Sequence, residues 1–110
     1  MLEYRTMDKK NMYIEAIQNC DLYTNKQRSI LSTLVQVAID EVATISPRNL
    51  SEISGATQPV VYKAIRLFEK EKLIQSLNTA NNKRGVFKLL IPKLDEIEEI
   101  YKKTKKLKNK

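Results

Sequence analysis

The side chains best equipped to act on another molecule lie between Thr57 and Lys70. Spaced 100° apart as on a helix, Pro59, Tyr62, Lys63, Arg66 and Lys70 fall on one face, while Val61, Ala64, Ile65 and Phe68 share an apolar sector opposite. The polar face offers a phenol and two cations near its middle, with the Thr57 hydroxyl and the Gln58 amide at its start. In a duplex major groove, arginine and lysine meet guanine acceptors or phosphates, and glutamine pairs with adenine. Lys83 and Arg84 form a second cluster inside the polar tract 78–85, suited to phosphate or minor-groove contact. Catalysis lacks its usual parts. The chain has no histidine, so the common general base, proton shuttle and imidazole ligand are missing, and a lone Cys20 builds neither a thiolate metal site nor an internal disulfide. No catalytic residue, metal or cofactor is expected. Glu69, Glu71, Glu98 and Glu99 read as helix-surface charges, and Cys20 as buried and inert.

The charge is unevenly placed. The 110 residues carry 20 Lys and Arg against 13 Asp and Glu, a formal net charge of +7. Residues 46–91 hold eight basic and three acidic groups, whereas residues 1–45 hold five and six. An anionic partner is implied, and the excess lies where the candidate binding face lies. This length suits one domain with one core. No apolar run approaches the ~18 to 20 residues that span a bilayer, and the N-terminus lacks a basic-then-apolar secretory pattern. A cytoplasmic protein with no membrane partner is expected.

The elements that must position these residues follow from spacing and caps. Met12, Tyr13, Ala16, Ile17 and Cys20 predict a helix over 8–20 with Asp8 as its N-cap. Thr24-Asn25-Lys26-Gln27 has the form of a capping box, and the apolar stripe from Ile30 to Val42 predicts a helix over 25–43. Ser46-Pro47 opens a short helix with Leu50 and Ile53 on its buried side and Gly55 at its end. Thr57 caps the next helix, which runs to about Glu71. Leu73 to Leu77 and Val86 to Ile91 predict a two-stranded hairpin with a long tip. After Pro92 the helical period returns, giving a helix over 92–107 and a frayed tail at 108–110.

The order helix, helix, turn, helix, hairpin is that of a winged helix-turn-helix. The stretch from Asn49 to Ile74, with Gly55 at its turn and Gln58-Pro59-Val60-Val61-Tyr62-Lys63-Ala64-Ile65-Arg66 at its centre, resembles the DNA-reading unit of winged-helix transcriptional regulators, most of all the MarR-like group. Thr24 to Leu34 is similar to the helix that leads into that unit. Asn82-Lys83-Arg84 stands where the family's wing usually has Asp-x-Arg. The resemblance covers about residues 24–91 and implies a dimeric regulator of double-stranded DNA, with Arg84 entering the minor groove. Asn82 in place of the acidic wing residue, Lys72 in place of the glycine usual before Leu-Ile, and the shorter chain depart from the family pattern.

The expected fold is therefore mainly α with a small β-hairpin (α+β), one domain over 1–110 with its winged helix-turn-helix at 24–91. The expected function is sequence-specific regulation by a homodimer on a palindromic site; a small-molecule effector is left open. Two alternatives use the same fold: a plasmid or viral DNA-maintenance factor, centromere-binding or replication-controlling, and a protein-interaction module presenting Val60, Tyr62 and Leu67. The terminal stripe of Leu94, Ile97, Ile100, Tyr101 and Leu107 either docks on the chain's own core or pairs with a second copy. Pairing is expected, on the ground that so small a core does not cover all five. On that reading Ile97→Asp leaves a folded monomer.

Overall fold

Thr24 opens the helix around which the molecule is built, α2 (Asn25–Val37). Its Oγ1 accepts from the Gln27 N–H at 3.2 Å, and Gln27 Oε1 accepts from the Thr24 N–H at 2.9 Å, so both halves of the capping box form. Ile30, Leu31, Leu34 and Val35 are fully buried. The computed structural model describes residues 2–77 and 85–108, with side-chain surroundings for 9–77 and 85–105. Lys83 and Arg84 lie outside the described residues, and so does the side chain of Leu107.

The helix stops six residues before the expected 43. Ile39 and Val42 instead pair antiparallel, their backbones exchanging hydrogen bonds of 2.8 and 3.0 Å across Asp40 and Glu41, which sit at φ 51° and 70°. Two left-handed residues in succession are what a tight hairpin turn requires. The turn delivers β1 (Val42–Thr44), a strand the sequence did not announce. It pairs with β3 (Val86–Leu89), which also pairs with β2 (Ile74–Ser76), so the expected hairpin becomes a three-stranded antiparallel sheet of order β1-β3-β2. Ala43 stands opposite Phe87, and Phe87, Ile74 and Leu89 all point into the core. Gly85, at φ 64°, immediately precedes β3. Its carbonyl accepts from the Ile45 N–H at 2.8 Å, and a Cβ there would lie 1.8 Å from the Ile45 oxygen.

Between β1 and β2 lies the helical pair. Ser46 Oγ accepts from the Asn49 N–H at 3.1 Å and Pro47 starts α3 (Pro47–Ser54), which Gly55 ends in a left-handed C-cap at φ 76°. Pro47, Leu50 and Ser54 set its inward side. Ile53, expected there too, falls beyond that side's edge and is 63% exposed. α4 (Gln58–Lys70) follows. It closes with the Leu73 N–H on the Phe68 carbonyl at 2.8 Å and the Lys72 N–H on the Glu69 carbonyl at 3.2 Å. This Schellman pattern puts Lys72 at φ 64°, where glycine is usual.

The chain's ends pack together. α1 starts at Leu2 rather than at 8 and runs to Gln18, so Asp8 lies inside the helix and not at its N-cap position. α1 buries Tyr13, Ala16 and Ile17 against α2 and against α5 (Ile91–Lys108). One continuous apolar core joins all of these elements.

Candidate nucleic-acid interface

The turn that aims α4 is bound from several directions. Ser54 Oγ donates to the Leu50 carbonyl at 2.6 Å and accepts from the Ala56 N–H, while Ser51 Oγ donates to the Ala56 carbonyl. From α2, Lys26 Nζ donates to the Gly55 carbonyl at 3.0 Å and Ser29 Oγ to that of Ser54 at 3.4 Å. The far end of α4 is clamped by Tyr23. Its ring meets Phe68 edge-on with centroids 5.8 Å apart, and its hydroxyl donates to Glu71 Oε1 at 2.6 Å. Burial first, and then that bond, push the Tyr23 phenol above its ordinary pKa. Tyr23 lies in a loop without periodicity, so no sequence pattern marked it.

On α4 itself, Val61, Ala64, Ile65 and Phe68 are buried, and the opposite face stands in solvent. Thr57 occupies the N-cap position, but its side chain makes no cap bond. Gln58, Pro59, Lys63, Arg66 and Lys70 are exposed, and Tyr62 is 46% exposed. Among the described residues, none of the polar side chains in this group has a hydrogen-bond or ion-pair partner. Lys72, Lys88 and Lys103 are likewise without a side-chain partner among the described residues, while several other cations are occupied. Arg28 donates to the carbonyls of Tyr23 and Gln18, Lys10 to that of Gln36, and Arg48 lies 3.7 Å from Glu52. The structure thus gathers six of the eight sequence-chosen binding residues, Thr57 to Arg66, along one helix and its N-cap.

The five residues chosen for pairing are divided. Leu94 and Ile97 are buried against the chain's own helices, Tyr101 is half-buried, and Ile100 is 58% exposed. The expectation that Ile97→Asp spares the fold is corrected accordingly, because Ile97 is part of the core. Near Ile100 stands Leu22, 76% exposed, a residue the sequence reading passed over because it is a lone leucine between Asp21 and Tyr23. The two line a cavity of about 420 Å³ together with Cys20, Arg28 and Tyr101. Cys20 is half-buried there rather than buried. Glu98 is corrected too. It is 4% exposed, receives the Lys9 ammonium on Oε1 at 2.6 Å, and leaves its buried Oε2 without a hydrogen bond. That bond is the main reason the Lys9 pKa is raised. Beside it the Tyr13 hydroxyl donates to Asp95 at 2.6 Å, and the phenol is pushed upward by burial and then by the carboxylate.

Among solved structures, the chain matches the crystal structure of MepR, a transcription regulator of the Staphylococcus aureus multidrug efflux pump MepA. The TM-score is 0.57 at 22% sequence identity, over 92% of this chain and 76% of MepR's. The fold is therefore the winged helix that the element order and the MarR-like resemblance implied. No protein-family model matches the chain, and no curated protein sequence does.

Proposed function

We propose that the chain is a cytoplasmic, non-enzymatic transcription regulator that binds double-stranded DNA sequence-specifically, as a homodimer on a palindromic site. The observation that carries this reading is the outward face of α4. Its cations, amide and phenol are exposed and unpartnered on a helix whose two ends are both tied down. Exposed donors without partners on an anchored helix suit a ligand that supplies acceptors, and a duplex groove presents base edges flanked by phosphates. The likeness to MepR, itself a transcription regulator, supports the assignment.

In this mechanism α4 lies in the major groove, with Arg66 and Lys63 toward guanine or phosphate, Gln58 toward adenine, and Thr57 and Tyr62 on the groove wall. Lys83 and Arg84 take the neighbouring minor groove. One recognition helix reads few base pairs, so a two-fold pair is needed for selectivity. Ile100 and Leu22 leave apolar surface on the terminal segments for that pairing.

Fluorescence anisotropy with labelled genomic duplexes tests the proposal. If a dimer makes ~6 to 10 phosphate contacts, affinity falls by about 10³ to 10⁵ between roughly 50 and 200 mM salt. A flat salt response, or no binding, overturns it. Sedimentation as a monomer at micromolar concentration removes the homodimer while leaving DNA binding to be judged by the first measurement.

A further inference from the structure

The leading turn of α4 differs chemically from the rest of its outward face. Gln58, Pro59 and Val60 carry no charge, and the first cation on the helix is Lys63. At 100° per residue Pro59 shares the centre line of the exposed arc with Arg66, and Tyr62 and Lys63 flank that line one turn further on. Pro59 is exposed and Val60 is 37% exposed. Helix geometry accounts for a proline in the first turn but not for its ring standing in water beside an exposed valine.

Resting on the reading of α4 as the groove-entering helix, we infer that this turn recognises the 5-methyl group of thymine. Pro59 and Val60 supply the apolar contact, so the half-site carries A·T pairs under the first turn. In the major groove, thymine displays a C5 methyl group where cytosine has only a hydrogen, and an O4 acceptor where cytosine has an amine donor, so an apolar side chain that packs on the methyl favours thymine. Gln58, beside them, suits the adenine partner. Charge complementarity selects DNA over an apolar protein groove as the occupant. One and two turns further along the same face stand Lys63 and Arg66, both unpartnered among the described residues, and an apolar groove long enough to take the helix would strip water from them without compensation.

Thymine-to-uracil exchange tests this, because it removes the methyl and changes nothing else. The full chain is used to select sites from a pool of random-sequence duplexes, and each thymine of a selected site is then replaced by uracil. At the positions under the first turn, uracil lowers affinity about fourfold per methyl. Pro59→Ala and Val60→Ala each shrink that penalty with the thermal melt unchanged, while Arg66→Ala keeps it in full. Selected duplexes that bind equally well with uracil at every position overturn the inference and leave the DNA-binding reading intact. A pool from which no duplex is retained takes both down. A uracil penalty that persists in full in both alanine variants also overturns the inference, since it places the methyl against other residues.

Discussion

Tyr62, Lys63 and Arg66 on α4 have no partner among the described residues, whereas between α1 and α5 the same kinds of side chain are each joined to a carboxylate. There Lys9 meets Glu98, Tyr13 meets Asp95, and Lys105 lies 3.7 Å from Glu15. Both regions carry lysine and tyrosine; what separates them is whether acid stands opposite. α5 turns Asp95 and Glu98 toward α1, while α4 has only Glu69, near its C-terminal end, among its own carboxylates. The α1–α5 seam thus settles its charges internally and serves the fold. The α4 face leaves its charges exposed and without partners among the described residues.

The sharpest way to break this contrast is to put an uncompensated charge into the seam. Ile97→Asp is expected to cost about 3 to 5 kcal/mol, a large part of the ~5 to 15 kcal/mol that holds a domain together. Circular dichroism on heating reads this as a collapse of the melting temperature. A variant that melts like the parent would place Ile97 outside the core. On the α4 face, Arg66→Ala is expected to leave stability within about 0.5 kcal/mol while costing ~1 to 3 kcal/mol of binding to a selected duplex. An Arg66→Ala protein that loses stability instead would give the two regions the same role.

Alkaline pH sharpens the comparison further. The Tyr13 and Tyr23 phenols are raised above their ordinary value of 10.0, so the folded chain holds protons that the unfolded chain has already released. The stability they contribute is full below that value and drains away as pH rises above it toward the folded values. Tyr23→Phe removes the bond to Glu71 at a cost of about 1 to 2 kcal/mol at neutral pH and flattens the alkaline decline. Thermal melts across pH ~8 to 11 measure both effects. Equal alkaline slopes in parent and variant would deny Tyr23 that role. The smallest effect belongs to the hinge after α4, where Lys72→Gly relieves a left-handed backbone and adds about 1 kcal/mol in a denaturant titration. A loss there would mean that the lysine side chain contributes more than its backbone costs.

The winged helix was legible because its signals are local. Thr24 and Gln27, Ser46 and Pro47, and Gly55 each mark a boundary within three or four residues, and each forms the bonds its type suggests. β1 was not legible. Asp40-Glu41 lacks the Asn-Gly signature of a tight turn, and Ala38, Ile39 and Val42 continue the helical stripe, so only pairing with β3 more than forty residues later makes the strand. The same distance hid the seam, since Lys9 and Glu98 are 89 residues apart and neither pattern predicts the other. The candidate face was readable for the opposite reason. Its residues depend on one helix, and a 100° rotation per residue places them without knowledge of anything distant.

Gly85 can be viewed as a bearing in a mechanical linkage. It joins the start of β3 to Ile45, the residue just before the cap of α3, through a 2.8 Å hydrogen bond, with no room for a single added carbon. A bearing without clearance has no backlash. Through Ile45 and Ser46 the start of β3 is thereby set against α3 and the turn that aims α4, so one contact fixes the placing of strand and helix together.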